Sequence, residues 1–132
     1  MNQIEWKEEY SVGHNVIDAQ HKRIIRMINE LIANQEVSIH SEFISDLLND
    51  IVKYGMEHFM VEEMLMKEYE YPFLDEHHKE HLQFKLNGAV MCKKVFDNNE
   101  TVPRELLEYL KKWWLDHILK EDLKLKYLFE KK

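Results

Sequence analysis

Apolar residues recur along this chain at spacings of three and four, the pattern of helices that each bury one face. Ile24, Ile25, Ile28, Leu31 and Ile32 form one such stripe, predicting a helix over about residues 18–36 with Asp18 as its N-cap. Ile44, Leu47, Leu48, Ile51, Tyr54 and Leu65 form a second, over about 41–69, capped by Ser41 and closed by Tyr71-Pro72. Phe84, Gly88, Met91 and Val95 mark a third, over about 73–96, broken by Asp97-Asn98-Asn99. Leu106, Leu110, Trp113, Leu125 and Phe129 mark the last, capped by Thr101 with Pro103 in its first turn and running to about residue 129. No polar-apolar alternation is long enough for a sheet. The expected fold is all-α: a single domain over residues 1–132, built as an antiparallel up-and-down four-helix bundle behind an N-terminal arm of about residues 1–17.

Polar residues interrupt these apolar stripes. His21 lies on the first, His58 and Glu62 on the second, His77 and His81 on the third, and His117 on the fourth. A buried imidazole or carboxylate is costly unless it finds a partner. Residues four apart differ by about 40° around a helix, so His58 with Glu62, and His77 with His81, can each reach a common point. One such pair means little in a chain with 8 histidines; His14 with Asp18 has the same spacing by accident. The plain alternative for any single histidine is a hydrogen-bonded core imidazole. Convergence from four inner faces points instead to a metal centre in the bundle core. Imidazole-rich ligation with carboxylates and no thiolate suits iron, zinc, copper or nickel, and the residues leave these open.

Composition narrows the classes. A net charge of −7 and a pI near 5.6 exclude a basic nucleic-acid-binding surface. Hydrophobic residues at 45% and charged residues at 33% fit a folded globular chain. Met1 to Tyr10 lack the apolar run of a signal peptide, and no stretch approaches the roughly 18 apolar residues of a membrane span. A cytoplasmic protein with no membrane partner is expected. The lone Cys92 cannot form an intrachain disulfide and shares an apolar pattern with Met91 and Val95, so packing is its expected role.

Other readings compete. His77-His78-Lys79-Glu80-His81 satisfies the HxxEH pattern of some zinc peptidases, with Glu80 as general base. That reading leaves His21, His58, Glu62 and His117 unexplained. A ferritin-like di-iron oxidase would carry ExxH motifs, and the sequence has none. A plain helical interaction module would fold fully without metal.

The order Trp6, Tyr10-Ser11-Val12-Gly13, Ile17-Asp18, Gln20-His21, His58-Phe59, Glu62-Glu63, Met66, Tyr71-Pro72, His77, His81, Trp113, His117-Ile118 and Asp122 resembles the bacterial hemerythrins over nearly the whole chain. The resemblance implies two iron ions. His77, His81 and His117 would bind one and His21 and His58 the other, bridged by Glu62, Asp122 and an oxo or hydroxo group. Dioxygen would bind reversibly at the iron with two histidines, held as peroxide in an apolar pocket walled by Ile24, Ile25, Phe59 and Trp113. The implied protein is a binding protein, not an enzyme, serving storage, delivery or scavenging, and its iron is rereduced by an electron donor. Oxygen or redox sensing is the alternative; with no signalling domain attached, a carrier, store or scavenger is favoured. Spacing alone prefers Glu121, at i+4 from His117, over Asp122 at i+5; the choice of Asp122 follows the resemblance. Glu121 and Glu63 then become flanking carboxylates, either solvated or supporting the ligands from behind, and His14, His40 and His78 non-ligands. One departure stands out. Three residues before His117, where many hemerythrins carry leucine, this chain has Trp114, expected either to narrow access to dioxygen or to turn outward into a helix interface.

Overall fold

The computed structural model describes residues 1–130, apart from the side chain of Glu121, and is helical throughout its ordered elements. Helix α1 spans Asn15–Ala33, α2 Glu42–Glu68, α3 Leu74–Asn98 and α4 Arg104–Asp116; a π-helical turn, His117–Asp122, then carries the last rod into α5, Lys124–Glu130. Helix α1 packs on α2 and α4, and α3 packs on the same two, so the rods form a closed ring of antiparallel neighbours. The predicted stripes face its axis: Ile24, Ile28, Leu31, Ile44, Ile51, Phe84, Leu106 and Leu125 are all at most 2% exposed. No helix among the described residues is long and apolar enough to cross a membrane.

Local signals explain most of the helix ends. The Ser41 hydroxyl accepts the Ile44 N–H at 3.2 Å, capping α2 as predicted. Helix α2 ends in a left-handed Glu70, φ 56°, with Tyr71 N–H donating to Met66 O at 2.8 Å and Glu70 N–H to Lys67 O at 3.2 Å. This is a Schellman closure, and Pro72 follows it. Two predicted caps are corrected. Helix α1 begins three residues before Asp18, capped by His14, whose Nδ1 accepts the Ile17 N–H at 3.5 Å. Asp18 sits in the first turn, where its carboxylate accepts the Ser11 hydroxyl at 2.5 Å and the Val12 N–H at 2.9 Å, tying the arm to the helix. Thr101 is not a helix cap; it pairs with Ser38 in an isolated bridge, and Ile39 N–H donates to Glu100 O at 2.8 Å across the two loops. Pro103 takes the cap position instead.

The arm is also held by Asn29 of α1, whose Oδ1 accepts the Ile4 N–H at 2.6 Å and whose Nδ2 donates to Ile4 O at 2.8 Å. On the last rod the inner position belongs to Trp114, fully buried at 0% exposure, while Trp113 is half-buried. The outward orientation of Trp114 is therefore excluded. Space for the indole comes from Gly55 on α2: a Cβ there would lie 3.0 Å from Trp114 Cζ2. Gly55→Ala is expected to destabilise the protein, because overpacking costs about 1–3 kcal/mol and outweighs the helix-propensity gain of up to about 1 kcal/mol. In a Trp114→Leu background the same change should stabilise. Urea unfolding of the four proteins as a double-mutant cycle checks this, and an additive cycle would refute the contact.

Candidate metal centre

Helix periodicity brings the polar interruptions of the four stripes to one level of the bundle. His21 enters from α1, His58 and Glu62 from α2, His77 and His81 from α3, and His117 and Asp122 from the two ends of the π turn. All seven are buried, none more than 3% exposed. The π turn decides between the last two acidic candidates. In a regular α-helix Asp122 would point about 140° away from His117. Here Leu123 N–H reaches back five residues to Ile118 O at 3.2 Å, and the widened turn puts Asp122 on the face of His117. Glu121, the residue that spacing alone preferred, has its side chain outside the described residues.

The donor atoms interlock. Glu62 Oε1 lies 3.1 Å from His117 Nε2, 3.2 Å from His81 Nε2 and 3.7 Å from His77 Nε2. Its Oε2 faces the other way, 3.4 Å from His58 Nε2 and 4.0 Å from His21 Nε2. Asp122 divides similarly: Oδ1 lies 3.1 Å from His77 Nε2, and Oδ2 lies 2.6 Å from His21 Nε2 and 3.5 Å from His58 Nε2. His117 Nε2 also lies 3.0 Å from Asp122 Oδ2. Two overlapping groups result. His21, His58, Glu62, His117 and Asp122 form one, Glu62, His77, His81 and His117 the other, with the donor atoms of each within 4.8 Å of one another.

Without a cation this cluster is poorly satisfied. Glu62 Oε2 and His81 Nε2 are buried with no hydrogen-bond partner, and His21 and His58 bring two Nε2 atoms to 3.1 Å. Orphaned atoms inside a convergent cluster of five imidazoles and two carboxylates are what metal ions would satisfy. Electrostatics agree. Burial alone would raise the Glu62 carboxyl, but His58 and His117 hold it well below the usual range. Burial and the Glu62 charge would raise Asp122, and His117 reverses this, leaving it low. His117 is pushed the opposite way: burial would lower it, but Asp122 and Glu62 raise it well above an ordinary histidine. Burial likewise opposes the charge on His77, and hydrogen bonds to Asp122 and Glu62 overcome it, raising its pKa to about 9. His21 is lowered, because burial outweighs its contact with Asp122.

Three further residues orient the rings from outside; the sequence reading offered such a supporting role for Glu63 and not for Gln20 or Glu80. Gln20 Oε1 lies 2.8 Å from His58 Nδ1, Glu63 Oε2 3.0 Å from His81 Nδ1, and Glu80 Oε1 3.2 Å from His117 Nδ1. Each sits beside a ligand candidate in sequence yet serves a ring on another helix, so no pattern within one helix reveals it. An acceptor at Nδ1 fixes the tautomer that leaves Nε2 free to coordinate. Of the histidines set aside, His14 caps α1 and His40 packs edge-on against Phe96 at 4.5 Å. His78, about half exposed, hydrogen-bonds through Nδ1 to Glu63 Oε1 and stays outside the cluster. Of the two roles expected for it, Glu63 takes the supporting one, linking His78 to His81.

Aromatic rings close the site on the side of α4. Phe59 stacks on His81 at 3.9 Å, Trp113 stacks on His117 at 4.8 Å, and Trp114 lies 5.9 Å from His58.

A helical bundle whose core closes on five imidazoles and two carboxylates is a metal-binding four-helix bundle. Residues 12–129 match the hemerythrin HHE cation binding domain. The chain is 34% identical over 117 residues to a bacteriohemerythrin of Stenotrophomonas maltophilia, covering 89% of this chain and 75% of that one. It is 27% identical over 121 residues to a bacteriohemerythrin of Clostridium acetobutylicum, covering 89% and 94%. The crystal structure of a wild-type hemerythrin superposes with a TM-score of 0.81 at 24% identity, over 96% of this chain and 98% of that one, which shows the shared fold. The chain belongs to the hemerythrin family.

Metal binding should release protons. A histidine with a raised pKa contributes stability fully present below its ordinary value of 6.5 and lost as pH rises through its folded value, about 9 for His77. The metal-free protein should therefore lose stability across that range. The same ring must be neutral to coordinate, so metal affinity should rise with pH over the same interval. Calorimetric metal titrations in two buffers of different ionisation enthalpy give the proton count; a count of zero at pH 7 would contradict this electrostatic account.

Proposed function

We propose that this chain holds two iron ions in its core and binds dioxygen reversibly, serving oxygen storage, delivery or scavenging as a binding protein, not an enzyme. The observation that carries this reading is the division of the Glu62 carboxylate, Oε1 toward His77, His81 and His117 and Oε2 toward His58 and His21. That division suits a carboxylate bridging two cations. We assign His77, His81 and His117 to one ion and His21 and His58 to the other, with Asp122 as the second bridge. The site with two histidines then keeps room for a small ligand. Iron, when bound, supplies the two electrons that dioxygen takes up on binding and returns on release.

The remaining work belongs to the protein. Gln20, Glu63 and Glu80 hold three rings with Nε2 aimed inward. Phe59, Trp113 and Trp114, with Ile24 and Ile25 one turn beyond His21, wall the centre with apolar surface and exclude water that would displace the ligand and reductants that would consume it. Trp114 fills its share of that wall completely, which narrows the path to the centre. Glu80, the general base of the competing peptidase reading, is engaged by His117 Nδ1 at 3.2 Å. Its carboxylate is thereby held behind a ligand instead of facing a cleft between His77 and His81.

Anaerobically reduced protein should contain two irons per chain and develop a visible band in air that disappears when oxygen is withdrawn. Zinc in place of iron, or an irreversible band, would overturn the reading. Asp122→Ala should lose metal. Glu80→Gln, which keeps an acceptor for His117 Nδ1, should retain both irons and bind oxygen with an affinity within about threefold of the parent, a hydrogen-bond change of well under 1.4 kcal/mol. A peptidase would instead lose its activity with this change.

A further inference from the structure

The bundle's exposed apolar surface is unevenly distributed. Most of it lies on α2 and α3: Met60 is 64% exposed, Met64 66%, Leu82 43%, Leu86 62% and Val90 71%. Between the two helices lie hollows of about 590 and 690 Å³. They involve successive stretches of α2, Met56 to Lys67 and Ser45 to Lys53, and share Lys85 of α3, so together they form one groove. At 1.5 Å per residue it runs about 30 Å, the length of a 20-residue helix. Met56, Met60 and Met64 follow one another at intervals of four along its α2 side, and flexible thioethers of this kind adapt to a packed helix.

Charge in the groove is reversed from that of the chain. The whole sequence carries 25 acidic against 18 basic residues. The groove carries Lys53, Lys67, Lys85 and Lys93 against Glu63, Asp75 and Asp97. Glu63 is engaged by His78 and His81, and Asp97 by Lys93 at 3.0 Å. Hydrogen bonds to imidazoles leave the Glu63 charge in place, so beyond the Lys93–Asp97 pair three lysines face two carboxylates, Glu63 and Asp75, and the groove is net positive.

We propose that this groove docks an acidic amphipathic helix of a partner protein. An apolar stripe would lie on the methionines, and acidic flanks would meet Lys53, Lys67 and Lys85. A small ligand inside the hollows would leave the exposed flanks of Met60, Met64 and Leu82 uncovered, whereas a helix covers them. Phe59 and His81 are on the groove's floor, so the bound helix lies against the outer side of the metal centre. The docking itself requires no oxygen chemistry and stands or falls independently of that reading.

The test uses metal-loaded protein and two labelled helical 20-residue peptides with the same Leu and Met stripe, one flanked by Glu and one by Lys, titrated by fluorescence anisotropy. The Glu-flanked peptide should bind about tenfold or more tighter. M60S/M64S, at two exposed positions, should weaken it by a similar factor, with helicity and metal content unchanged as the control for folding. K67E/K85E, which keeps every apolar contact, should reverse the preference between the peptides. The proposal is overturned by equal affinities, by no binding, or by a preference that K67E/K85E leaves unchanged. It is also overturned if sedimentation shows the groove closed by a second copy of this chain, in a dimer that M60S/M64S dissociates, or if the groove instead binds phosphatidylglycerol vesicles.

Discussion

Two carboxylates and five imidazoles share the driest part of this molecule, and the remainder of the structure is arranged to make that tolerable. Glu62 and Asp122 are 0% exposed, as are His21 and His58. A carboxylate in such a place costs several kcal/mol unless opposite charge and hydrogen bonds offset it. Histidines supply both, and four separate helices are needed because one helix face can bring only two such groups to a point. The bundle architecture follows: each rod gives one or two donors and uses the rest of its stripe for apolar packing.

The requirement also explains the irregularities. The last rod must place two donors five residues apart on one face, which a regular α-helix cannot do, and a π turn over His117–Asp122 does it. The indole of Trp114 fills the space beside His58 and Phe59, and α2 carries glycine at position 55 so that the ring fits. Gln20, Glu63 and Glu80 reach the outer nitrogens of rings on neighbouring helices, so the rods are joined by hydrogen bonds as well as by apolar contact. A change in the spacing of two helices therefore alters the geometry of the centre directly.

One side of the bundle does not take part in this economy of burial. Helices α2 and α3 turn His58, Glu62, His77 and His81 inward and present methionines, leucines and lysines outward, with Phe59 and His81 between the two surfaces. A solved hemerythrin of similar length shares the bundle.

Helical periodicity is a local property, so the sequence alone determined what depends on it: four helices, their apolar faces, the Ser41 cap, and six of the seven buried donors, each an interruption of a stripe. Asp122 was legible only through resemblance, since its position depends on a π turn that no i, i+4 rule anticipates. Tertiary structure decided the matters that involve two helices at once. Trp114 went inward because Gly55 left room for it, Asp18 ties down the arm instead of capping its helix, and Thr101 pairs with Ser38. The division of carboxylate oxygens between two groups of histidines is of the same kind, because the relative rotation and height of packed rods are set by side-chain interdigitation and not by spacing along any one of them.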